Sequence, residues 1–273
     1  MNNQPESVGM NILALLSRCI FLFSVFLCIS SILPDSVHAQ PSGQELAQLV
    51  YDRDVGEDSL SQQIMELIPA NGQKRIRELT ISSLDSENGR KTLIRFTSPA
   101  DIQGTGFLAI EDGKGDTEQF LYLPALNRTR RIVADQKGRS FVNTDFTFED
   151  MERQPVEDSE HSIAGEEELN GVQCWILESR PKPESESQYS MIRSWVARDM
   201  HLALRVDFFA GGQDPIKRYT VLQLENIQEI WTETKVSMED LKSGHKTILE
   251  NKTIKYNTTI PDSVFTQQAL ENW

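Results

Sequence analysis

Hydrophobic and polar residues alternate in short segments along most of the chain from residue 74 onward. In residues 202–210, for example, Leu202, Leu204, Val206 and Phe208 fall on one face of an extended segment. A hydrophobic period of two predicts a β-strand with one buried face. Because the pattern recurs in segment after segment, the chain is predicted to be rich in β-structure.

Turn-forming residues separate these segments, and hardly any helical pattern lies between them. Asp112-Gly113 and Asn170-Gly171 are dipeptides typical of tight hairpin turns. Strands joined by short turns, without intervening helices, indicate an antiparallel meander. The predicted strands cover residues 74–84, 90–97, 104–111, 117–123, 128–134, 141–148, 159–169, 172–179, 189–198, 202–210, 217–226, 230–238 and 246–256.

A different pattern, with apolar residues three or four apart, occurs before residue 70. Ser42 is a suitable N-cap for a helix that carries Leu46, Leu49 and Val50 on one side. Residues 60–68 predict a second amphipathic helix. Such helices need an apolar surface to lie on, and the sheet that follows supplies it.

The chain ends in a third helical pattern. Residues 264–270 predict a short terminal helix, with Asp262 or Ser263 as its cap. The fold class is therefore predicted to be α+β, mainly β, with helices covering a concave face of an antiparallel sheet.

The first 39 residues predict a secretory signal peptide. Residues 19–33 are almost wholly apolar and follow Arg18, and Val37-His38-Ala39 offers the small residues that signal peptidase recognises. The alternative is an uncleaved anchor, but the apolar run is shorter than the ~20 residues that a membrane span needs. We therefore expect cleavage after Ala39, export across the inner membrane, and a single domain over residues 40–273.

Charge and cysteine content exclude several classes of partner and site. The formal net charge is −14 at neutral pH, so the general field repels nucleic acid and anionic lipid headgroups. Nucleic-acid binding is therefore not expected. Cys174 is the one cysteine after residue 39, so no intramolecular disulfide can form in the cleaved chain. A buried structural cysteine is the preferred interpretation of this residue.

Sequence motifs for catalysis or metal binding are absent. The chain has no Gly-x-Ser-x-Gly elbow, and His161, His201 and His245 are too scattered for a His-x-His or His-Glu-x-x-His motif. No cofactor and no metal are expected, and no catalytic residue is assigned. A Ser/His/Asp set assembled from distant segments stays open, because triads are defined by geometry rather than by chain order. His245 is the candidate base of such a set.

Arginines precede a cluster of acids in the central part of the chain. The candidates for a polar rim are Arg130, Arg131, Asp145, Glu149 and Asp150. Arginine suits bidentate contact with phosphate or carboxylate, which favours a polar mouth or a docking patch. The alternative, which we prefer, is cross-strand ion pairing such as Arg130 with Asp145. Exposed pairs of this kind contribute at most about 1 kcal/mol each.

Several motifs of the chain resemble those of a known protein family. They are Gly104-Thr105, Leu123-Pro124-Ala125-Leu126, Arg130-Arg131-Ile132, the run from Ser140-Phe141 to Asp150-Met151, and His245-Lys246-Thr247. On these motifs the chain resembles the LolA-like outer-membrane lipoprotein-sorting proteins, in the branch that includes the treponemal TP-0789-type domains. The resemblance covers nearly all of the chain after residue 39. It implies an unclosed antiparallel half-barrel, lidded by helices, with an apolar cavity for acyl chains.

Aromatic residues of the predicted strands are the candidates for the lining of that cavity. An acyl chain needs a continuous apolar lining, because its affinity comes from buried apolar area. The alternative is that these aromatic residues fill an ordinary core. The cavity candidates are Phe96, Phe107, Phe120, Tyr122, Phe146, Phe148 and Trp195.

The resemblance implies a periplasmic binding protein that holds a lipid or lipoprotein acyl group during envelope transport or outer-membrane lipoprotein sorting. The implied ligands are lipid or lipoprotein acyl chains, and the implied protein partners are an inner-membrane exporter or an outer-membrane acceptor. Two alternatives stay open: a lipid-acting, phospholipase-like hydrolase on the same fold, and an envelope scaffold without a ligand. Enzymatic activity is thus undecided, with a non-enzymatic role preferred.

Overall fold

The structure, a computed structural model, describes residues 40–113 and 115–272. The predicted signal peptide, residues 1–39, lies outside the described residues. Within those ranges no helix has the length and hydrophobicity to cross a membrane.

One antiparallel sheet of thirteen strands dominates the described residues. In spatial order the strands run β6-β5-β4-β3-β2-β1-β13-β12-β11-β10-β9-β8-β7, so every neighbour except the β1–β13 pair is also a neighbour in sequence. The strands are β1 Asp58–Ile68, β2 Arg75–Ser86, β3 Gly89–Ser98, β4 Gly106–Glu111, β5 Thr117–Leu123, β6 Arg128–Ile132, β7 Ser159–Leu169, β8 Val172–Pro181, β9 Met191–Ala197, β10 Leu202–Phe209, β11 Lys217–Ile227, β12 Ile230–Asp240 and β13 Lys246–Tyr256. The predicted antiparallel meander is confirmed.

The sheet is unclosed, because β6 and β7 lie at its two ends and do not pair with each other. The segment between them, residues 133–158, is called here the covering loop. Its Phe148 carbonyl oxygen accepts a hydrogen bond from Gln119 of β5, while Glu149 accepts one from the backbone of Gln188, just before β9. In a flat sheet β5 and β9 would be roughly 40 Å apart. The sheet therefore curves around the covering loop, which packs on its concave face.

The prediction of a strand over residues 141–148 is wrong. These residues form turns in the covering loop, with one isolated bridge between Ser140 and Thr147. Val142 and Asn143 have φ angles of 48° and 59°, which a continuous strand cannot contain. The apolar pattern of residues 141–148 resembles that of a strand because the loop packs its phenylalanines onto the sheet.

The first helix, α1 (Gly43–Tyr51), is confirmed, together with its cap. Ser42 accepts a hydrogen bond from the backbone of Glu45, and the Glu45 carboxylate accepts one from the backbone of Ser42. Leu46 and Ala47 pack against Leu177 of β8 and its neighbours. The helix thus covers the concave face near the β7 end of the sheet.

The second predicted helix, residues 60–68, is wrong, because this segment is part of β1. The strand pairs with β2 on one side and with β13 on the other. Its buried residues Ser61, Met65 and Leu67 share one face of the strand, which pairs with β2 without interruption. Leu60, Ile64 and Leu67 have the spacing of a helix because they come from both faces of the strand.

The terminal helix, α2 (Gln267–Glu271), begins later than predicted. Its N-cap is Thr266 rather than Asp262 or Ser263, which form a single 3₁₀ turn. Leu270 packs with Leu108 and Phe120 on the face of the sheet opposite the covering loop. Gly106 permits this contact, because a Cβ there would lie 2.6 Å from the Leu270 side chain.

Candidate functional site

Three adjoining cavities lie on the concave face of the sheet. The helix-side cavity, about 280 Å³, lies between α1 and strands β8 and β9. The central cavity, about 340 Å³, lies between the covering loop and strands β9–β12. The outer cavity, about 210 Å³, lies against β1, β2, β12 and β13.

Shared wall residues join the three cavities into one trough. Glu149 and Ile192 line both the helix-side and the central cavity. Glu233 lines both the central and the outer cavity, and Arg53 lines the outer and the helix-side cavity. A ligand larger than any single cavity can therefore extend from one into the next.

The helix-side cavity has apolar and polar walls. Val50 of α1 and Leu177 of β8 contribute apolar surface, and Arg153 of the covering loop contributes a guanidinium. That guanidinium makes a bidentate contact with buried Glu111, at 2.7 and 3.1 Å, and stacks 4.1 Å over the ring of Tyr51. Arg153 is thus already paired and joins the covering loop to α1 and β4.

A serine and a histidine meet in the wall of the helix-side cavity. His161 of β7 and Ser179 of β8 are directly opposite in register. Ser179 Oγ lies 2.8 Å from His161 Nδ1, and the carbonyl oxygen of Val156 lies 2.9 Å from Nε2. A carbonyl oxygen can only accept, so Nε2 carries a proton and donates it. In the neutral ring Nδ1 then accepts the hydrogen bond of the Ser179 hydroxyl.

The central cavity has mostly apolar walls. Phe146 comes from the covering loop, Ile192 from β9, Phe208 from β10, and Met238 from β12. Ala203 of β10 leaves space on the same face, because it carries only a methyl group. These walls suit an apolar ligand segment.

Four acids complete the wall of the central cavity: Glu149, Asp150, Glu152 and Glu233. Asp150 forms a buried ion pair with Lys217, and Glu152 pairs with Lys137 at 2.9 Å. Burial raises the pKa of Glu152 above its ordinary value, although Lys137 opposes the shift. Among the described residues, no three His, Cys, Asp or Glu side chains are arranged so that they could hold a metal ion.

Glu233 lies where the central and outer cavities meet. The Tyr219 hydroxyl donates a hydrogen bond of 2.9 Å to Glu233 Oε1. Burial raises the pKa of Glu233, and the positive charge of Arg53 opposes that shift. Burial also raises the pKa of Tyr219 far above its ordinary value, so this side chain stays a hydrogen-bond donor.

The seven predicted cavity residues are divided among separate clusters. Phe96, Phe107 and Phe148 pack around Phe141, with ring centroids 5.1 to 6.2 Å from that ring. This cluster fills the space between the covering loop and strands β1–β6. Phe146 belongs to the same cluster, and it also lines the central cavity.

The other three predicted cavity residues face away from the trough. Phe120 and Tyr122 lie under α2, on the opposite face of the sheet. Trp195 packs with Cys174, and its indole N–H donates to Glu167 at 2.7 Å. Because side chains alternate along β9, Trp195 points away from Ile192, which lines the trough.

The predicted rim residues do not form one cluster. Asp145 does not pair with Arg130, because its carboxylate contacts His245 at 2.7 Å and accepts a hydrogen bond from Thr247 at 2.6 Å. Arg130 is exposed on the edge strand β6, where Arg131 pairs with Glu118. Glu149 and Asp150 line the trough, as described above.

Sequence reasoning missed Glu233 because of a β-bulge. Glu233 and Lys235 are two positions apart, so strict alternation places both on the same face. In the structure Gln223 pairs with Lys235 while its neighbour Leu224 pairs with Glu233, and the extra residue between them changes the face. Lys235 therefore pairs with Glu250, while Glu233 lines the trough. No residue in the sequence marks this bulge.

Comparison with known protein families gives one match to a family model, described as "Uncharacterized protein", over residues 88–272. Comparison with curated proteins gives no match.

Several solved structures share the fold. A DUF1329 family protein from Desulfovibrio piger is 31% identical, with a TM-score of 0.78 over 84% of this chain and 97% of that one. An outer membrane lipoprotein-sorting protein domain from Vibrio parahaemolyticus is 28% identical, with a TM-score of 0.79 over 84% and 98%. A LolA superfamily protein from Nitrosomonas europaea is 17% identical, with a TM-score of 0.66 over 84% and 100%, which shows the shared fold.

Proposed function

We propose that this chain, which belongs to the DUF1329 family and shares the LolA-like fold, is a periplasmic lipid-binding protein. In this proposal it holds the acyl portion of a lipid or lipoprotein in the trough while the ligand crosses the bacterial envelope. An inner-membrane exporter supplies the ligand or an outer-membrane acceptor receives it.

The trough is the observation that carries the proposal. Its cavities lie side by side on the concave face, and the central one alone has a volume of about 340 Å³. Ligand sites of about 300–1,000 Å³ with apolar walls and a few polar groups are typical of small-molecule binding. The half of the sheet formed by β1–β6 is filled by aromatic rings, so the ligand is assigned to the half formed by β7–β13.

Filling the central cavity provides a direct test. Ala203 lines it, and a tryptophan at this position would occupy the space that an acyl chain needs. We expect Ala203→Trp to weaken binding of a fluorescent fatty acid by about tenfold or more, because buried apolar area supplies the affinity. The matched control is Ala164→Trp, which changes an exposed alanine on β7.

Equilibrium titration of the wild type and both variants distinguishes the outcomes. Circular dichroism and thermal unfolding must first show that both variants are folded. Wild-type affinity in Ala203→Trp would contradict the assignment of the ligand to the central cavity. Equal loss in both variants would indicate a nonspecific effect of tryptophan and would also count against it.

A second candidate function, lipid hydrolysis, is favoured by the contact between Ser179 and His161. A hydroxyl that donates to the free nitrogen of a histidine has the geometry of an activated nucleophile. Under this candidate, Ser179→Ala abolishes both fluorophosphonate labelling and fatty-acid release from phospholipid vesicles. Ser194→Ala, in the same cavity wall, retains both. Absence of labelling and release in the wild type would eliminate hydrolysis and leave the binding function in place.

A further inference from the structure

The walls of the central cavity carry charge of one sign only. Four carboxyl groups line it, and none of its lining residues is lysine, arginine or histidine. The helix-side cavity differs, since Arg53, Arg90 and Arg153 line it. The central and helix-side cavities therefore offer different electrostatic environments to the polar part of a ligand.

Two of the four acids of the central cavity have a cationic partner within the chain. Lys217 contacts Asp150, and Lys137 contacts Glu152. The first pair joins the covering loop to β11, the second lies within the loop, and each neutralises one negative charge. Neither of these two acids needs a ligand to balance it.

The other two acids receive hydrogen bonds from neutral groups. Glu149 accepts from the Ser187 hydroxyl and from the backbone N–H of Gln188. Glu233 accepts from the Tyr219 hydroxyl through Oε1. Neutral donors satisfy hydrogen-bonding capacity but add no opposite charge, so the field inside the cavity remains negative.

Arg53 is the cation whose charge acts on Glu233. Its guanidinium donates to the carbonyl oxygen of Trp231 at 3.0 Å, and it lines the outer and helix-side cavities rather than the central one. Arg53 therefore attracts Glu233 from the side without placing a positive charge inside the central cavity. Burial in addition raises the pKa of Glu233, which shows how poorly its charge is solvated.

We propose that the central cavity binds the protonated amine of an amphiphile, with Glu233 as the direct acceptor and Glu149 as a second acid facing the same space. Tyr219 fixes one oxygen of Glu233 and leaves the other for the ligand. The apolar part of the ligand lies against Phe208 and Met238. This inference rests on the proposed function, since it specifies the polar group of the lipid held in the trough.

The physical reason is the cost of burying charge. An anionic ligand group in this cavity would lose its hydration and meet two further carboxyl groups, whereas an ammonium group gains charge-assisted hydrogen bonds. We therefore expect the protein to discriminate between head groups carried on identical alkyl chains. This selectivity does not depend on how tightly the alkyl chain itself binds.

Three probes that share one alkyl chain test this selectivity: octadecylamine, octadecanol and stearate. Equilibrium dialysis against the purified full-length protein at neutral pH gives the affinity for each probe. We expect the amine to bind about tenfold or more tightly than stearate, with the alcohol between them. Glu233→Gln should abolish most of the preference for the amine and leave the affinity for octadecanol nearly unchanged.

Two further variants make the result specific. Glu149→Gln should also reduce the preference for the amine, which keeps the test informative if Glu233→Gln fails to fold. Glu239→Gln is the matched control, because Glu239 lies on the same strand and pairs with Lys246 on the surface. It should retain wild-type selectivity.

The outcomes separate this inference from the proposed function. Equal affinity of the wild type for octadecylamine and stearate, or unchanged selectivity in both glutamate variants, would overturn the inference while lipid binding stands. Failure of all three probes to bind would contradict the proposed function itself.

Discussion

Burying the Glu233 carboxyl group in the wall of the trough costs free energy of folding. A carboxyl group in this position loses hydration, which a surface glutamate keeps. The Tyr219 hydroxyl and the charge of Arg53 offset part of that loss. A glutamine here would keep an acceptor for the Tyr219 hydroxyl and remove the cost of burying a charge, so Glu233→Gln is expected to stabilise the folded state.

The cost of Glu233 predicts a dependence of stability on pH. Its pKa is raised from 4.5 in the folded protein, so between pH 4.5 and the raised value folding takes up a proton. The free energy of unfolding therefore falls as the pH rises through this window, by about 1.4 kcal/mol per pH unit. Glu233→Gln should remove this fall and be more stable than the wild type above the window.

Urea denaturation of both proteins at a series of pH values checks this prediction. Glu152 titrates in the same direction in both proteins, so the difference between the two curves isolates Glu233. A difference that is constant across the window would mean that Glu233 has the same pKa in the folded and unfolded chain.

The burial of a strand residue and the cap of a helix can be predicted from the sequence where the local pattern is uninterrupted. The predicted burial of Cys174 on a strand is confirmed. The predicted cap of the first helix, Ser42, is also confirmed, with both hydrogen bonds of the capping box present. Glu233 cannot be predicted, because a bulge that no residue type marks decides which face it occupies.

At the scale of elements, the covering loop depends on a few polar contacts for its place on the sheet. Asp150 contacts Lys217 of β11 and the hydroxyl of Tyr189, and Asp145 contacts His245 and Thr247 at the start of β13. The Asp150 and Lys217 side chains are 4% and 8% exposed, so this pair is buried.

Breaking the buried pair should destabilise the protein strongly. Lys217→Met leaves the Asp150 carboxylate buried without its cation, which costs about 3–5 kcal/mol of unfolding free energy. The double variant Asp150→Asn with Lys217→Met should recover part of that loss, because no buried charge then remains. Lys74→Met is the control, since the Lys74–Glu66 pair is exposed and contributes about 1 kcal/mol or less.

Chemical denaturation of the three variants decides the matter. A Lys217→Met variant that loses no more stability than Lys74→Met would show that the pair does not hold the covering loop in place.

Most strands can be predicted from the sequence, but the backbone conformation of two segments cannot. Apolar residues on both faces of β1 together have a helical spacing, so the pattern of residues 60–68 predicts a helix where the chain forms a strand. The covering loop alternates like a strand, although Val142 and Asn143 turn its backbone. In both cases the apolar pattern reports which side chains are buried and not which backbone geometry buries them.

At the scale of the whole sheet, the two halves of the concave face have different roles. Aromatic rings around Phe141 fill the half near β1–β6, where the covering loop packs closely. The half near β7–β13 encloses the trough, because α1 and the acidic end of the covering loop bridge it without filling it. An unclosed sheet can thus anchor its cover on one side and leave room for a ligand on the other.

A lipid held in the trough should remain with the protein through a detergent-free purification. The full chain is expressed in a Gram-negative host, purified without detergent, extracted with organic solvent and analysed by mass spectrometry, beside Ala203→Trp. We expect about one amphiphile for each wild-type chain and far less in the variant. A wild-type protein that is as empty as the variant, and that takes up no added fatty acid or alkylamine, would rule out lipid binding in the trough.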